Sequence, residues 1–160
     1  TAGLPSARAR RCGDDHGRDH GVDAQALMAV LVDSNVLLDI LTEDARWLSW
    51  SAEALERAAQ STPVLINPII YAEVSVRFSR IEDLEEALPR SLLAREQIPY
   101  EAAFLAAKVH LGYRRRGGTR NTPLPDFFIG AHAAVARHRI LTRDAKRYAT
   151  YFPSVALISP

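Results

Sequence analysis

Four acids in this chain could do chemistry together: Asp33, Glu73, Asp126 and Asp144. The apolar, β-branched run Ala29 to Val32 stops abruptly at Asp33, and Ser34-Asn35 and more apolar residues follow. Such a run beside helical pattern reads as a strand covered on both faces and ending in a carboxylate. Arg139-Ile140-Leu141-Thr142 repeats this and stops at Arg143-Asp144. Asp126 opens a helix after Leu124-Pro125, and Glu73 stands inside a largely apolar helix that begins at Pro68. Each acid has an ordinary alternative. Asp33 with Ser34 and Asn35 is also helix-cap material, Asp126 suits any first helical turn, and Glu73 can pair with Arg77 one turn on.

Carboxylates gathered at one place repel, so at least one should hold its proton unusually tightly unless a cation relieves the set. Mg²⁺ prefers oxygen ligands, keeps several waters and is held by a few carboxylates plus a substrate phosphate. The chemistry that follows is hydrolysis of a phosphodiester by a metal-activated water, with no nucleophilic side chain, leaving 5′-phosphate and 3′-hydroxyl ends. Cations are also clustered: Arg114, Arg115 and Arg116 close a helix before Gly117-Gly118, and Arg120 follows. They read either as helix-dipole partners or as a patch that steers phosphates.

The elements that must position these residues alternate short β-like runs with helical stretches. That alternation predicts right-handed βαβ units in an α/β, three-layer α/β/α sandwich with a central parallel sheet. Helices are expected over Val36–Leu41, over Trp47–Ala59 with Trp47 and Trp50 on its apolar side, and from Pro68 to Phe78. Ile81 to Leu93 is amphipathic and acidic, and Gln97-Ile98-Pro99 marks a third strand position. A helix over Tyr100–Arg116 should bury Ala103, Phe104, Ala107, Val109 and Leu111. Helices over Phe127–His138 and Ala145–Tyr151 flank the Arg139–Thr142 strand, and Val155–Ile158 forms an edge strand. His132 and His138 read as surface or packing residues, and Asp39, Glu43 and Asp44 as solvated.

A chain of 160 residues, 48% hydrophobic and 24% charged, suits one soluble domain. A net charge of +1 excludes nucleic-acid binding by bulk electrostatics, so a local patch would have to meet such a partner. No apolar run approaches the roughly 20 residues of a membrane span, and no secretory apolar region follows the Arg-rich start. The expected location is the cytoplasm. The single cysteine, Cys12, has no disulfide partner within the chain. Residues 1–27 lack periodicity and read as a disordered extension or non-native leader before Met28, with the domain over residues 28–160. Cys12, His16 and His20 have a spacing that could hold a metal, but solvated coil is the preferred reading in so polar a stretch.

In order, Val32-Asp33-Ser34-Asn35, Tyr71-Ala72-Glu73, Leu124-Pro125-Asp126 and Leu141-Thr142-Arg143-Asp144 resemble the PIN-domain family, and more narrowly the VapC toxins of type II toxin–antitoxin systems. The region from Tyr113 to Gly118 through Pro125-Asp126, and the ending Arg147-Tyr148 with Tyr151-Phe152-Pro153, also resemble one bacterial VapC subgroup. The resemblance implies a Mg²⁺- or Mn²⁺-dependent endoribonuclease. In it, Asp33, Glu73, Asp126 and Asp144 would hold the metal, and Thr142, Ser34 and Asn35 would support them. Arg114, Arg115, Arg116 and Arg120 are the candidates for steering an RNA substrate, and single-stranded or loop RNA bends most readily into a small acidic pocket. The resemblance further implies a homodimer and a VapB-type antitoxin whose C-terminal segment covers an apolar groove near the early helices, where Trp47 and Trp50 are candidate lining residues. Two alternatives stand beside it. One is a catalytically silent PIN fold that only binds. The other is a Rossmann-like phosphohydrolase with Asp33 as covalent nucleophile, against which Asn35 occupies the place of the usual second acid.

Overall fold

The computed structural model describes residues 29–160. Cys12, His16, His20 and the proposed start at Met28 lie outside the described residues. Three apolar runs form the strands β1 (Val30–Val32), β2 (Val64–Ile66) and β4 (Arg139–Leu141), which occupy the middle of the sheet. Between them the chain folds into α1 (Ser34–Leu41), α2 (Leu48–Ser61), α3 (Pro68–Ser75), α4 (Ile81–Ala87), β3 (Ala94–Arg95), α5 (Tyr100–Arg115) and α6 (Pro125–Ala136). The last elements are α7 (Ala145–Tyr151) and β5 (Leu157–Ile158). All strand pairs are parallel, in the order β3-β2-β1-β4-β5. Helices cover the sheet as an α/β/α sandwich, which is why β1 and β2 carry no solvent-facing residue.

Strand order fixes where a site can form. From β1 the chain moves outward through β2 to β3, then returns to the other side of β1 to lay down β4 and β5. The direction of winding therefore switches between β1 and β4, and the crevice beyond their carboxyl ends is where open parallel sheets bind ligands. Asp33 follows β1, and Thr142 follows β4. A backbone bond from the Asp33 N–H to the Leu141 carbonyl, 2.9 Å, ties the two strand ends together.

Two expectations about the elements and their packing fail. The third strand is Ala94–Arg95 rather than Gln97–Pro99. Pro99 instead caps α5, and Ile98 packs against the core. Arg95 anchors β3 through its side chain, donating to the Leu93 and Leu88 carbonyls at 2.7 Å each. The second failure is the face of α5. Its buried residues are Ala102, Ala106 and His110, whereas Phe104 is 66% exposed and Leu111 47% exposed. Small residues at that spacing let α5 lie close along α6, which carries Gly130, Ala131 and Ala133 toward the core. Gly130 is required there: a Cβ at this position would run into the ring of Phe152.

Candidate active site

Asp33 is the centre of the site. It is only 3% exposed, and two side chains converge on its Oδ2: the Thr142 hydroxyl donates at 2.8 Å and the Asn35 amide at 2.9 Å. Asn35 Nδ2 also reaches Thr142 Oγ1 at 3.1 Å, while its Oδ1 accepts from the Arg143 backbone N–H at 3.1 Å. Thr142 Oγ1 accepts in turn from the Asp144 N–H at 3.1 Å. The two strand ends are thus stitched into one polar unit, and the Asp33 carboxylate cannot rotate without breaking it. Of the three residues read from the sequence as supports, Asn35 and Thr142 bond directly to Asp33 Oδ2, and Ser34 follows Asp33 at the start of α1.

Burial pushes the Asp33 pKa up, the nearby Asp144 charge adds to the rise, and the polar groups that face the carboxylate, the Thr142 hydroxyl first and then the Tyr148 hydroxyl and the Ser34 backbone N–H, oppose it without cancelling it. Glu73 is also shifted up, chiefly by burial and secondarily by Asp33, with the Ser34 hydroxyl opposing. The alternative reading of Glu73, an ion pair with Arg77, is not formed among the described residues. Glu73 Oε2 is buried with no hydrogen-bond partner. Asp144 is exposed at the N-terminus of α7, and its side chain makes no cap bond there. Asp126 lies in the first turn of α6 with its carboxylate against the Arg147 guanidinium from α7. Asp33, Glu73 and Asp144 therefore share one electrostatic field, while Asp126 has a cation of its own.

Sequence reasoning assigned no role at the site to two participants. Tyr148, 2% exposed, directs its hydroxyl toward Asp33 with Glu73 nearby, and burial together with these two carboxylates raises its pKa well above the ordinary value. That hydroxyl has no well-formed hydrogen bond. Asp39, expected to be solvated, is 3% exposed; it accepts from Ser51 Oγ at 2.8 Å and lies 3.1 Å from Arg143 Nε. Arg143 also stacks over Trp47, 5.5 Å from its ring centroid. The Thr142–Asp144 turn is thereby locked to α1 and α2. No periodicity could have announced Asp39, because its partners arrive from α2 and from the turn after β4.

The donor set around Asp33 suits a hard divalent cation. Its oxygens are carboxylate and hydroxyl, the pKa shifts of Asp33 and Glu73 mark ionised forms in want of compensation, and Glu73 Oε2 is an orphaned buried acceptor. A different cluster, Glu96, His132 and His138, brings ligand atoms within 4.8 Å of one another. Both Nε2 atoms lie 2.9 Å from Glu96 Oε1. Its geometry fits proton sharing rather than a metal. Asn67 Oδ1 caps α3 by accepting from the Ile69 and Ile70 N–H groups at 3.0 Å, which turns its amide nitrogen toward His132 Nδ1 at 3.2 Å. His132 Nδ1 must then accept, so the proton stands on Nε2 and is donated to Glu96. His132 is fully buried by this packing and His138 partly so.

The arginine candidates are all surface groups. Arg114 donates to the Arg120 carbonyl and to Asn121 Oδ1 at 3.3 and 3.2 Å, and Arg116 stacks over Tyr151 at 5.3 Å. Arg115 and Arg120 are exposed. Gly117 turns this loop with a φ of 88°, a backbone that favours glycine. The loop delivers the chain from α5 to Asp126. Among the described residues no helix is long and apolar enough to cross a membrane.

Comparison with solved structures gives the same architecture. The VapBC2 complex from Rickettsia felis bound to a promoter DNA fragment matches with a TM-score of 0.64 at 17% identity, over 83% of this chain and 99% of that one. VapBC-1 from nontypeable Haemophilus influenzae matches with a TM-score of 0.62 at 15% identity, over 82% and 98%. A toxin–antitoxin complex from Klebsiella pneumoniae matches with a TM-score of 0.58 at 23% identity, over 80% and 96%. No curated protein sequence matches the chain. The PIN domain pattern matches residues 30–153, spanning every element that builds the Asp33 site, and the chain belongs to the PIN-domain family.

Proposed function

We propose that this protein is a Mg²⁺- or Mn²⁺-dependent endoribonuclease, the VapC-type toxin of a type II toxin–antitoxin pair. The observation that carries the reading is the uncompensated acid pair: Asp33 and Glu73 both have raised pKa values at the topological switch, and a buried Glu73 oxygen has no partner. Asp33, Glu73 and Asp144 would hold the cation, and Asp126 would join them by leaving Arg147. When bound, the cation supplies neutralisation of phosphate charge and a more acidic water. Thr142 and Asn35 fix Asp33 Oδ2, so the carboxylate is oriented before substrate arrives. Arg114, Arg115, Arg116 and Arg120 would draw the RNA backbone toward the loop that leads to Asp126.

A covalent phosphohydrolase is a poorer account, because Asn35 is no titratable acid and spends its amide on Asp33. The structural neighbours are toxin–antitoxin complexes, which supports a VapB-type antitoxin as partner in the cytoplasm. Tyr100, 93% exposed, with Phe104 and Leu111 on the outer side of α5, supplies apolar surface for a homodimer. The test is cleavage of defined single-stranded RNAs by the full chain, freed of any partner, with Mg²⁺, Mn²⁺ or EDTA, beside Asp33→Asn and Asp126→Asn. Metal-dependent cutting that leaves 5′-phosphate ends and is lost in both variants is expected. Wild-type protein that binds metal and cuts none of a broad RNA panel would replace this reading with the silent binding fold.

A further inference from the structure

The Asp33 carboxylate is approached from three elements. Asn35 reaches it from α1, Thr142 from the end of β4, and Tyr148 from α7. The first two bonds are complete. The third is not: the Tyr148 hydroxyl faces Asp33 and is close to Glu73, yet it has no well-directed hydrogen bond. A buried hydroxyl without a partner costs stability, and phenylalanine would fill the same space without that cost. The ring is well packed, at 2% exposure, so the hydroxyl is held where it is rather than left to find a partner. Its position is set by the same Thr142–Asp144 turn that Asn35 and Asp39 pin.

We propose that Tyr148 is a positioning residue for the metal-holding carboxylates, its buried hydroxyl turning to donate to the already fixed Asp33 carboxylate when a divalent cation is bound there. The proposal rests on the metal-dependent reading above. Donors one step behind a ligating carboxylate commonly change metal affinity by about 10- to 100-fold when removed. A Tyr148→Phe variant is therefore expected to bind Mn²⁺ about tenfold more weakly, while its thermal midpoint in EDTA stays equal to that of the wild type or rises.

The experiment is isothermal titration of the full chain with Mn²⁺, for wild type, Tyr148→Phe and Asp33→Asn, with thermal melts of each in EDTA. Alongside it, tyrosine ultraviolet difference spectra are recorded on Mn²⁺ addition, where the wild type should show a perturbation that Tyr148→Phe lacks. Wild-type affinity in Tyr148→Phe overturns the proposal. So does a fall in its thermal midpoint with affinity unchanged, which assigns the tyrosine to packing alone. Should the variant fail to fold, an absent tyrosine signal in the wild type overturns it instead. The two readings separate cleanly: Asp33-dependent Mn²⁺ binding weakened in Tyr148→Phe upholds the positioning role even where no RNA is cut, whereas wild-type protein that binds no Mn²⁺ removes both.

Discussion

Asp33→Asn should make the metal-free protein more stable. An asparagine in this place keeps an oxygen where Oδ2 accepts from Thr142 and Asn35, and it removes a buried charge that faces Glu73 and Asp144. Relief of an uncompensated buried charge is worth about 2–3 kcal/mol. The amide nitrogen replaces a carboxylate oxygen with a donor in a buried place, which costs about 1 kcal/mol. The net is about 1–2 kcal/mol in favour of the variant, or about 3–6 °C in thermal midpoint for a domain of this size. Because the folded pKa of Asp33 is raised above 3.8, its ionisation destabilises the fold at neutral pH. That penalty diminishes as pH falls through the folded value and is absent below 3.8. Thermal melts in EDTA at neutral pH and in acid should therefore show an advantage for the variant that shrinks in acid. Mg²⁺ should reverse the neutral-pH order, since ligand at 100 times its Kd adds about 2.7 kcal/mol to a protein that binds it. An Asp33→Asn protein less stable than wild type in EDTA at neutral pH would refute the claim that this carboxylate is uncompensated.

Other perturbations test the parts around it. Arg147→Ala frees Asp126, and since a partly exposed ion pair is worth about 0.5–1 kcal/mol, Mn²⁺ binding by calorimetry should tighten about two- to fivefold. Asp39→Ala strands the half-buried Arg143 guanidinium and the Ser51 hydroxyl; a loss of about 2 kcal/mol in urea unfolding is expected, with faster hydrogen exchange at the Asp144 amide. Gly130→Ala forces a methyl into the Phe152 ring, and the overpacking cost of about 1–3 kcal/mol exceeds the gain of about 1 kcal/mol in helix propensity, so the urea midpoint should fall. Burial lowers the His132 pKa below 6.5, with Glu96 opposing, so this group's contribution is intact above 6.5 and fades as pH drops through the folded value. Melts between neutral pH and mild acid should show a slope that is flatter in His132→Leu.

The fold was legible where residues of one kind run together. Val30 to Val32, Val64 to Ile66 and Ile140-Leu141 are runs that only a sheet covered on both faces would bury, and all three do so. Ala94-Arg95 is no run at all, and its strand is held by pairing with β2 and by the Arg95 side chain, neither of which leaves a periodic trace. On α5 the large apolar residues pointed to the wrong face. Close approach to α6 is governed by Ala102 and Ala106, whose small size carries no hydrophobic signal, so Phe104 and Leu111 were left outside. The site divided in the same way. Asp33 and Thr142 declared themselves as polar residues at strand ends, and their hydrogen bond spans 109 positions of sequence. Tyr148 and Asp39 gave no such sign, because their roles exist only once α7 and α1 are folded against the same turn.

Satisfied and unsatisfied groups are divided sharply around Asp33. Asp33 Oδ2, Asn35, Thr142 and the backbone N–H groups of Arg143 and Asp144 are all paired, in bonds of 2.8 to 3.1 Å. Beside them Glu73 Oε2 and the Tyr148 hydroxyl are buried and unpaired. A core selected for stability alone would remove those two atoms with leucine at 73 and phenylalanine at 148, or pair Glu73 with a cation such as Arg77. Instead the chain holds the frame rigid and leaves the strain at one spot, between Asp33 and Glu73. A bound divalent cation would relieve the two carboxylates together, which is why the most stable form of this protein should be the one loaded with metal.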